Sequence, residues 1–168
     1  MFRNVELPRS VAGKLFLHSM PGSREPLERV WQQVRKDAVG KIVCLTGTDE
    51  IKRKSPTYAL SLEGGTTPCP VVVYAMSDYG VPTDLDSFWA LARDIARDLR
   101  TGMCVLIHCA AGIGRTGTLA ASVLIALGMD EDNACAMVTC AGSRSETESQ
   151  RGVIAWCAEQ PKKPRQQT

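Results

Sequence analysis

The sequence predicts an α/β domain: a small, mainly parallel central sheet of four to five strands with helices on both faces. Three observations carry this. Short apolar runs at Lys14–His18, Lys41–Leu45, Pro70–Ala75 and Cys104–Ile107 alternate with segments of helical spacing. After the last run the chain reads as helix upon helix with no further strand, so the strands fall in one sheet rather than in two halves. At 168 residues and 44% hydrophobic content, the chain suits one domain around one core, assigned to residues 1–160.

Taken in order, residues 1–13 form a polar lead-in, and Lys14 to His18 the first strand. Met20-Pro-Gly-Ser-Arg24 is a loop, with Ser23 placed to cap a helix over Pro26–Asp37 whose Leu27, Val30, Trp31 and Val34 share one face. Gly40 ends that helix, Lys41–Leu45 is a strand, and Thr48-Asp-Glu-Ile-Lys a helical turn. Residues 53–68 are punctuated by Pro56, Gly64, Gly65 and Pro68, and leave helix and irregular strand both open over Ser55–Leu62. Pro70–Ala75 is a strand, and Met76–Thr83 a loop. Asp84 caps a long helix over Leu85–Leu99, with Phe88, Leu91, Ala92, Ile95 and Leu99 inward. Helices over Thr116–Leu127, Glu131–Cys140 and Glu146–Glu159 complete the domain. The basic, Pro-punctuated stretch 161–168 is expected to be a disordered tail.

Composition excludes several classes. A net charge of +2 and only 5% aromatic residues supply neither the field nor the stacking platforms of a nucleic-acid binder. Seven cysteines, odd in number and without a Cys-x-x-Cys, together with only two histidines, propose no metal site. They read as reduced thiols in a reducing compartment, which with the lack of an apolar leader or membrane-length run points to the cytoplasm. A secretion route needing no such leader would leave no trace here. Nothing in the sequence fixes the oligomeric state.

The chemistry concentrates in Val105-Leu-Ile-His-Cys-Ala-Ala-Gly-Ile-Gly-Arg-Thr-Gly117. A buried strand stops at His108-Cys109, a loop carries Gly112 and Gly114, and a helix begins just beyond. Backbone N–H groups of such a loop turn inward around an oxyanion, and the helix dipole adds positive potential. Arg115, six residues after Cys109, brings a planar fork suited to two phosphate oxygens. The same field lowers a thiol to roughly 3.5–7.5, making it a nucleophile at neutral pH. The stretch also contains Gly112-x-Gly114-x-x-Gly117, a dinucleotide fingerprint in form. That reading fails, because no strand ending in an acid follows the helix.

His108-Cys109-x-x-Gly112-x-x-Arg115-Thr116 resembles the Cys-x5-Arg signature of protein tyrosine and dual-specificity phosphatases. The resemblance implies that Cys109 attacks phosphorus and forms a cysteinyl-phosphate, without metal or organic cofactor. The amides of Ala110, Ala111, Gly112, Ile113, Gly114 and Arg115, with the Arg115 side chain, hold the phosphate. Thr116 helps release the thiolate through a hydrogen bond to sulfur, and His108 orders the loop through a backbone carbonyl. Ser77-Asp78-Tyr79-Gly80-Val81-Pro82 resembles the family's acid loop, with Met76-Ser77 where a Trp-Pro is usual, so Asp78 is the implied general acid. Asp84 and Asp86 are rivals, but both stand at a helix start. Glu146-Thr147-x-x-Gln150 resembles a downstream element whose Gln reaches toward the phosphate, although Ala141-Gly-Ser-Arg144 departs from the usual Arg-Pro-Gly before it. Leu15–Gly22 and Val43–Thr46 resemble the N-terminal strands of phosphatases related to the cyclin-dependent-kinase-associated phosphatase. In some relatives a cysteine at the position of Cys44 forms a disulfide with the nucleophile.

The implied substrate is a phosphorylated protein, at phosphotyrosine and also at phosphoserine or phosphothreonine, with no nucleic acid or membrane partner. The lysine-free interior Ala110-Ala111-Gly112-Ile113 leans away from inositol lipids. A phosphoinositide phosphatase of the same fold and a non-catalytic phosphopeptide reader are the alternatives.

Overall fold

The computed structural model describes residues 1–160, so the tail expected over 161–168 lies outside the described residues. Five strands, β1 (Arg3–Val5), β2 (Lys14–His18), β3 (Val39–Cys44), β4 (Val71–Val73) and β5 (Cys104–His108), form one sheet in the order β1-β2-β5-β3-β4. All neighbours are parallel except the β1–β2 pair at one edge. β5 is therefore central, with Ile107 flanked by Leu17 and Val43, and its carboxyl end delivers His108 and Cys109 to the top of the sheet.

The helices are α1 (Leu27–Lys36), α2 (Thr48–Lys54), α3 (Pro56–Glu63), α4 (Leu85–Arg100), α5 (Gly114–Ala126), α6 (Glu131–Cys140) and α7 (Glu148–Glu159). They cover both faces, so β5 is buried on both and reads as an unbroken apolar run. Its residues alternate between two cores. Val105 and Ile107 join Phe88, Ile95 and Leu99 of α4, Leu119 and Val123 of α5 and Ile154 of α7. Leu106 joins Trp31 of α1, Ile51 of α2 and Tyr58 of α3 on the other side. α5 is buried from Gly114 to Ile125, which explains why it is apolar all round rather than striped. Truncating its Leu119 to alanine removes contacts worth about 2–5 kcal/mol.

Several local expectations change. The polar lead-in contains β1, which the sequence hides because three residues, one exposed, show no period. Ser23 does not cap α1; its hydroxyl donates to the Met20 carbonyl at 2.6 Å, and Pro26 takes the cap position. Gly40 lies inside β3, at an irregularity between Val39 and Lys41, and Ala38 (φ 51°) makes the left-handed turn after α1 instead. Residues 56–63 are helical, with Pro56 in the first turn where its missing N–H costs nothing. The last helix starts at Glu148, capped by the Thr147 hydroxyl, and α5 starts at Gly114 rather than Thr116. Asp84 caps α4 as expected, accepting from the Asp86 N–H at 3.0 Å. After α5 the described chain is helical, so the dinucleotide reading stays excluded.

Candidate active site

Where the carbonyls of the Cys109–Arg115 loop go decides what the loop can hold. In a trans peptide the N–H points opposite to the C=O, and no peptide bond among the described residues is cis. The Cys109 carbonyl is met by His108 Nδ1 at 3.3 Å. The Ala110 carbonyl accepts from the Met20 N–H at 3.0 Å, beyond the end of β2. The Gly112 carbonyl accepts from Ser143 Oγ at 2.6 Å and from the Arg3 guanidinium. The Ile113 carbonyl accepts from the Gly117 N–H at 2.7 Å, and the Gly114 carbonyl from Thr118 Oγ1 at 2.9 Å. Each is tied outward, so the N–H groups of Ala110, Ala111, Ile113, Gly114 and Arg115 are turned the other way, while the Gly112 N–H donates to Cys109 Sγ at 3.2 Å. The result is a ring of amides with the sulfur at its base, opening at the N-terminus of α5.

Gly112 makes the ring possible, and Gly114 lies close to its neighbours. Gly112 sits at φ +75°, and a Cβ there would strike the His18 carbonyl. A Cβ on Gly114 would strike the Glu146 carboxylate and crowd Gln150 Oε1.

His108 is fully buried and its pKa is pushed down to about 4, because burial disfavours the imidazolium. Nδ1 faces a carbonyl and must donate; Nε2 then accepts, 3.0 Å from the Tyr58 hydroxyl. The neutral ring thus links the loop to α3. Tyr58 also lies next to Cys44, whose Sγ is 3.1 Å from Thr46 Oγ1. Cys44 is a free thiol, and burial pushes its pKa up, which weakens it as an attacking partner for Cys109.

Arg115 leaves the start of α5 with a side chain that is 1% exposed. Its Nη1 donates to Glu50 Oε2 at 2.8 Å and to the Met76 carbonyl at 3.0 Å; its Nη2 donates to Glu50 Oε1 at 3.1 Å and to Asp78 Oδ1 at 2.9 Å. Burial opposes the charge, yet Glu50, Cys109 and Asp78 outweigh it and raise the pKa of Arg115. Glu50 is held ionised, its pKa lowered to about 2 chiefly by the bonds from Arg115, with Lys54 Nζ a further 2.8 Å partner. Asp78 is half-exposed, so the acid loop and the phosphate loop meet at Arg115. The Asp84 carboxylate is occupied at the α4 cap, accepting from the Asp86 N–H.

Gln150 is buried against the ring, but both ends of its amide are engaged. Nε2 donates to the Gly80 carbonyl at 3.0 Å, and Oε1 accepts from the Glu146 N–H at 2.8 Å. It therefore ties the acid loop to the segment that precedes α7, a different placement from a Gln pointing at the phosphate. The Thr116 hydroxyl is buried with no hydrogen-bond partner among the described residues, so the bond to Cys109 sulfur implied by the resemblance is not made in this state.

Glu50, Arg3, Ser143 and Tyr58 were missed by sequence reasoning. They reach the site across 65, 109, 31 and 50 residues of chain. Only the Glu50–Lys54 spacing carried a trace, that of an ordinary helical ion pair.

Residues 18–129 match the family model described as a polymorphic toxin system DSP-PTPase phosphatase. The chain belongs to that family. It is a phosphatase of the tyrosine and dual-specificity class, and its fold is theirs. Kinase-associated phosphatase, crystallised with serine for its catalytic cysteine, superposes with a TM-score of 0.78 at 18% identity over 92% of this chain and 91% of that one. Tk-PTP in its active form gives 0.72 at 25% identity over 90% and 98%. PTPMT1 in complex with PI(5)P gives 0.71 at 20% over 90% and 94%. A search of curated proteins returns no significant match. No helix of the described phosphatase chain is long and apolar enough to cross a membrane.

Proposed function

We propose that this phosphatase hydrolyses phosphotyrosine in proteins, and phosphoserine and phosphothreonine as secondary substrates, with Cys109 as nucleophile and Asp78 as general acid. The observation that carries this reading is the outward tying of the loop carbonyls, which turns the loop amides toward the Cys109 sulfur, with the Arg115 guanidinium held beside them between Glu50 and Asp78.

In the first step the Cys109 thiolate attacks phosphorus, forming the S–P bond as the P–O bond to tyrosine breaks. Asp78 gives its proton to the departing phenoxide. The equatorial oxygens are held by the amides of Ala110 to Arg115 and by the Arg115 fork. In the second step water attacks phosphorus, Asp78 takes its proton, and the thiolate leaves with help from the Thr116 hydroxyl. Inorganic phosphate is released. His108 and Glu50 are positioning residues: one fixes the loop, the other aims the fork. Gln150 positions the acid loop. Seven free thiols among the described residues support the cytoplasm as the place of action.

A non-catalytic reader would need neither sulfur nor acid, whereas Asp78 pairs with the Arg115 that ends the loop carrying Cys109. The test is hydrolysis of p-nitrophenyl phosphate and a phosphotyrosyl peptide by the wild type and by Cys109→Ser. The expected result is turnover that the substitution abolishes. Tight peptide binding without turnover by the wild type would replace the enzyme with the reader.

A further inference from the structure

The interior of the phosphate loop offers no lysine or arginine of its own, yet cations border its mouth. Ser23 and Arg24, in the loop between β2 and α1, and Lys54, at the end of α2, line a depression of about 300 Å³ together with Ala110 and Ala111. Ala110 and Ala111 are the first two residues of the cradle, so this depression adjoins the site where the scissile phosphate is held.

The two cations differ in what they already hold. Lys54 Nζ is 2.8 Å from Glu50 and 3.9 Å from Asp78, so part of its charge is answered within the protein. Arg24 is exposed and has no ion pair or side-chain hydrogen bond among the described residues. Arg24 also repels Arg3, which itself feels the Cys109 sulfur, so these positive charges lie close enough to share one field. Positive charges around an opening whose own lining holds no carboxylate favour an anionic ligand, Arg24 more than the partly answered Lys54.

We propose that Arg24 and Lys54 form a subsite for a second anionic group on the substrate, placed beside the phosphate rather than on the same ring. The occupant is a phosphotyrosyl peptide with acidic side chains flanking the phosphotyrosine. This rests on the phosphatase reading given above and names a substrate class for it. A peptide crossing the mouth sets its neighbouring side chains down outside the cradle, where the cations stand. A polyphosphorylated inositol ring would set its further phosphates against the cradle interior, where the chain supplies Ala110, Ala111 and Ile113. Arg24, with a planar fork and no internal partner, is the specificity-determining residue.

The test compares kcat/KM for two phosphotyrosyl peptides on the full chain, one with glutamates on both sides of the phosphotyrosine and one with alanines. The wild type is expected to favour the acidic peptide by about fivefold at low ionic strength, the scale of exposed charge pairs. That preference should shrink as salt is added. Arg24→Ala should bring the ratio of the two peptides close to one, and Arg24→Glu should invert it. Equal rates for both peptides in the wild type, or an unchanged ratio in Arg24→Glu, would overturn the subsite. So would an inositol bisphosphate that is hydrolysed faster than the acidic peptide and loses that advantage in Arg24→Glu. Turnover of p-nitrophenyl phosphate by the wild type is the control. Its absence refutes the phosphatase reading, whereas its presence with no peptide preference refutes the subsite alone.

Discussion

The two loops that make this site are held in opposite ways. The phosphate loop, Cys109 to Arg115, is tied at nearly every carbonyl by groups from β1, the end of β2, α5 and the α6–α7 connection, and it has almost no freedom left. The acid loop, Met76 to Pro82, is held at Met76 and Gly80 and through Asp78 to Arg115, yet the Asp78 and Tyr79 residues themselves are exposed. Tyr79 sits at φ 56°, a left-handed backbone unusual for a tyrosine. The lesson is a division of labour. Amides that stabilise a developing charge work best when they need no rearrangement during the reaction. A proton donor must approach a leaving group, then let product out, and the more exposed loop suits the role proposed for Asp78.

The contrast can be broken most severely at the acid. Asp78→Asn is expected to lower kcat/KM for phosphotyrosyl peptides by about 10²–10⁴-fold. An activated ester, whose leaving group needs no proton, should be spared most of that loss. Equal rates for Asn and Asp on both substrates would place the acid elsewhere. Next is the fixed side. Arg115→Lys should cost about 10²–10³-fold on every substrate, because an ammonium cannot reproduce the fork. A loss confined to poor leaving groups would move Arg115 out of the cradle and into the service of the acid.

The smallest effect sharpens the comparison at the joint between the loops. Glu50→Gln keeps the shape but removes a charge from Arg115, and should cost about tenfold in kcat/KM, on the order of 1.4 kcal/mol. Glu50 also sets an acid limit on stability. Its folded pKa is about 2 against an ordinary 4.5, so its contribution is complete above 4.5 and is lost as the pH falls toward 2. The buried, neutral His18 and His108 act in the same direction at a higher window. Their pKa values lie near 4 instead of 6.5, so the unfolded chain binds the extra protons and stability falls as the pH drops from 6.5 to 4. Thermal midpoints across pH 2 to 7 should show both slopes, with Glu50→Gln flattening only the lower one. A lower slope unchanged in that variant would mean the Arg115 pair adds nothing to stability.

What could be read in advance followed from contiguity. Cys109, the glycines and Arg115 lie within one short stretch, so their spacing alone fixes a strand, a turn and a helix start. The parallel sheet was legible because β5 must be apolar on both faces. Glu50, Arg3 and Ser143 look like ordinary surface residues in sequence, since a polar side chain gives no sign of which distant backbone group it will meet. Gln150 was legible as a site residue, but its partners were not, because they depend on how the acid loop returns to α7. β1 was hidden for the simplest reason: three residues are too few to display alternation.

The lone Thr116 hydroxyl has a thermodynamic corollary. The Thr116 Oγ1 has no hydrogen-bond partner among the described residues, and a buried O–H left unbonded costs about 1–3 kcal/mol. That penalty disappears in whichever state along the reaction brings an acceptor within its reach. If the departing sulfur is that acceptor, a valine at this position would leave the fold no less stable and make it slower to free itself from its own phosphate.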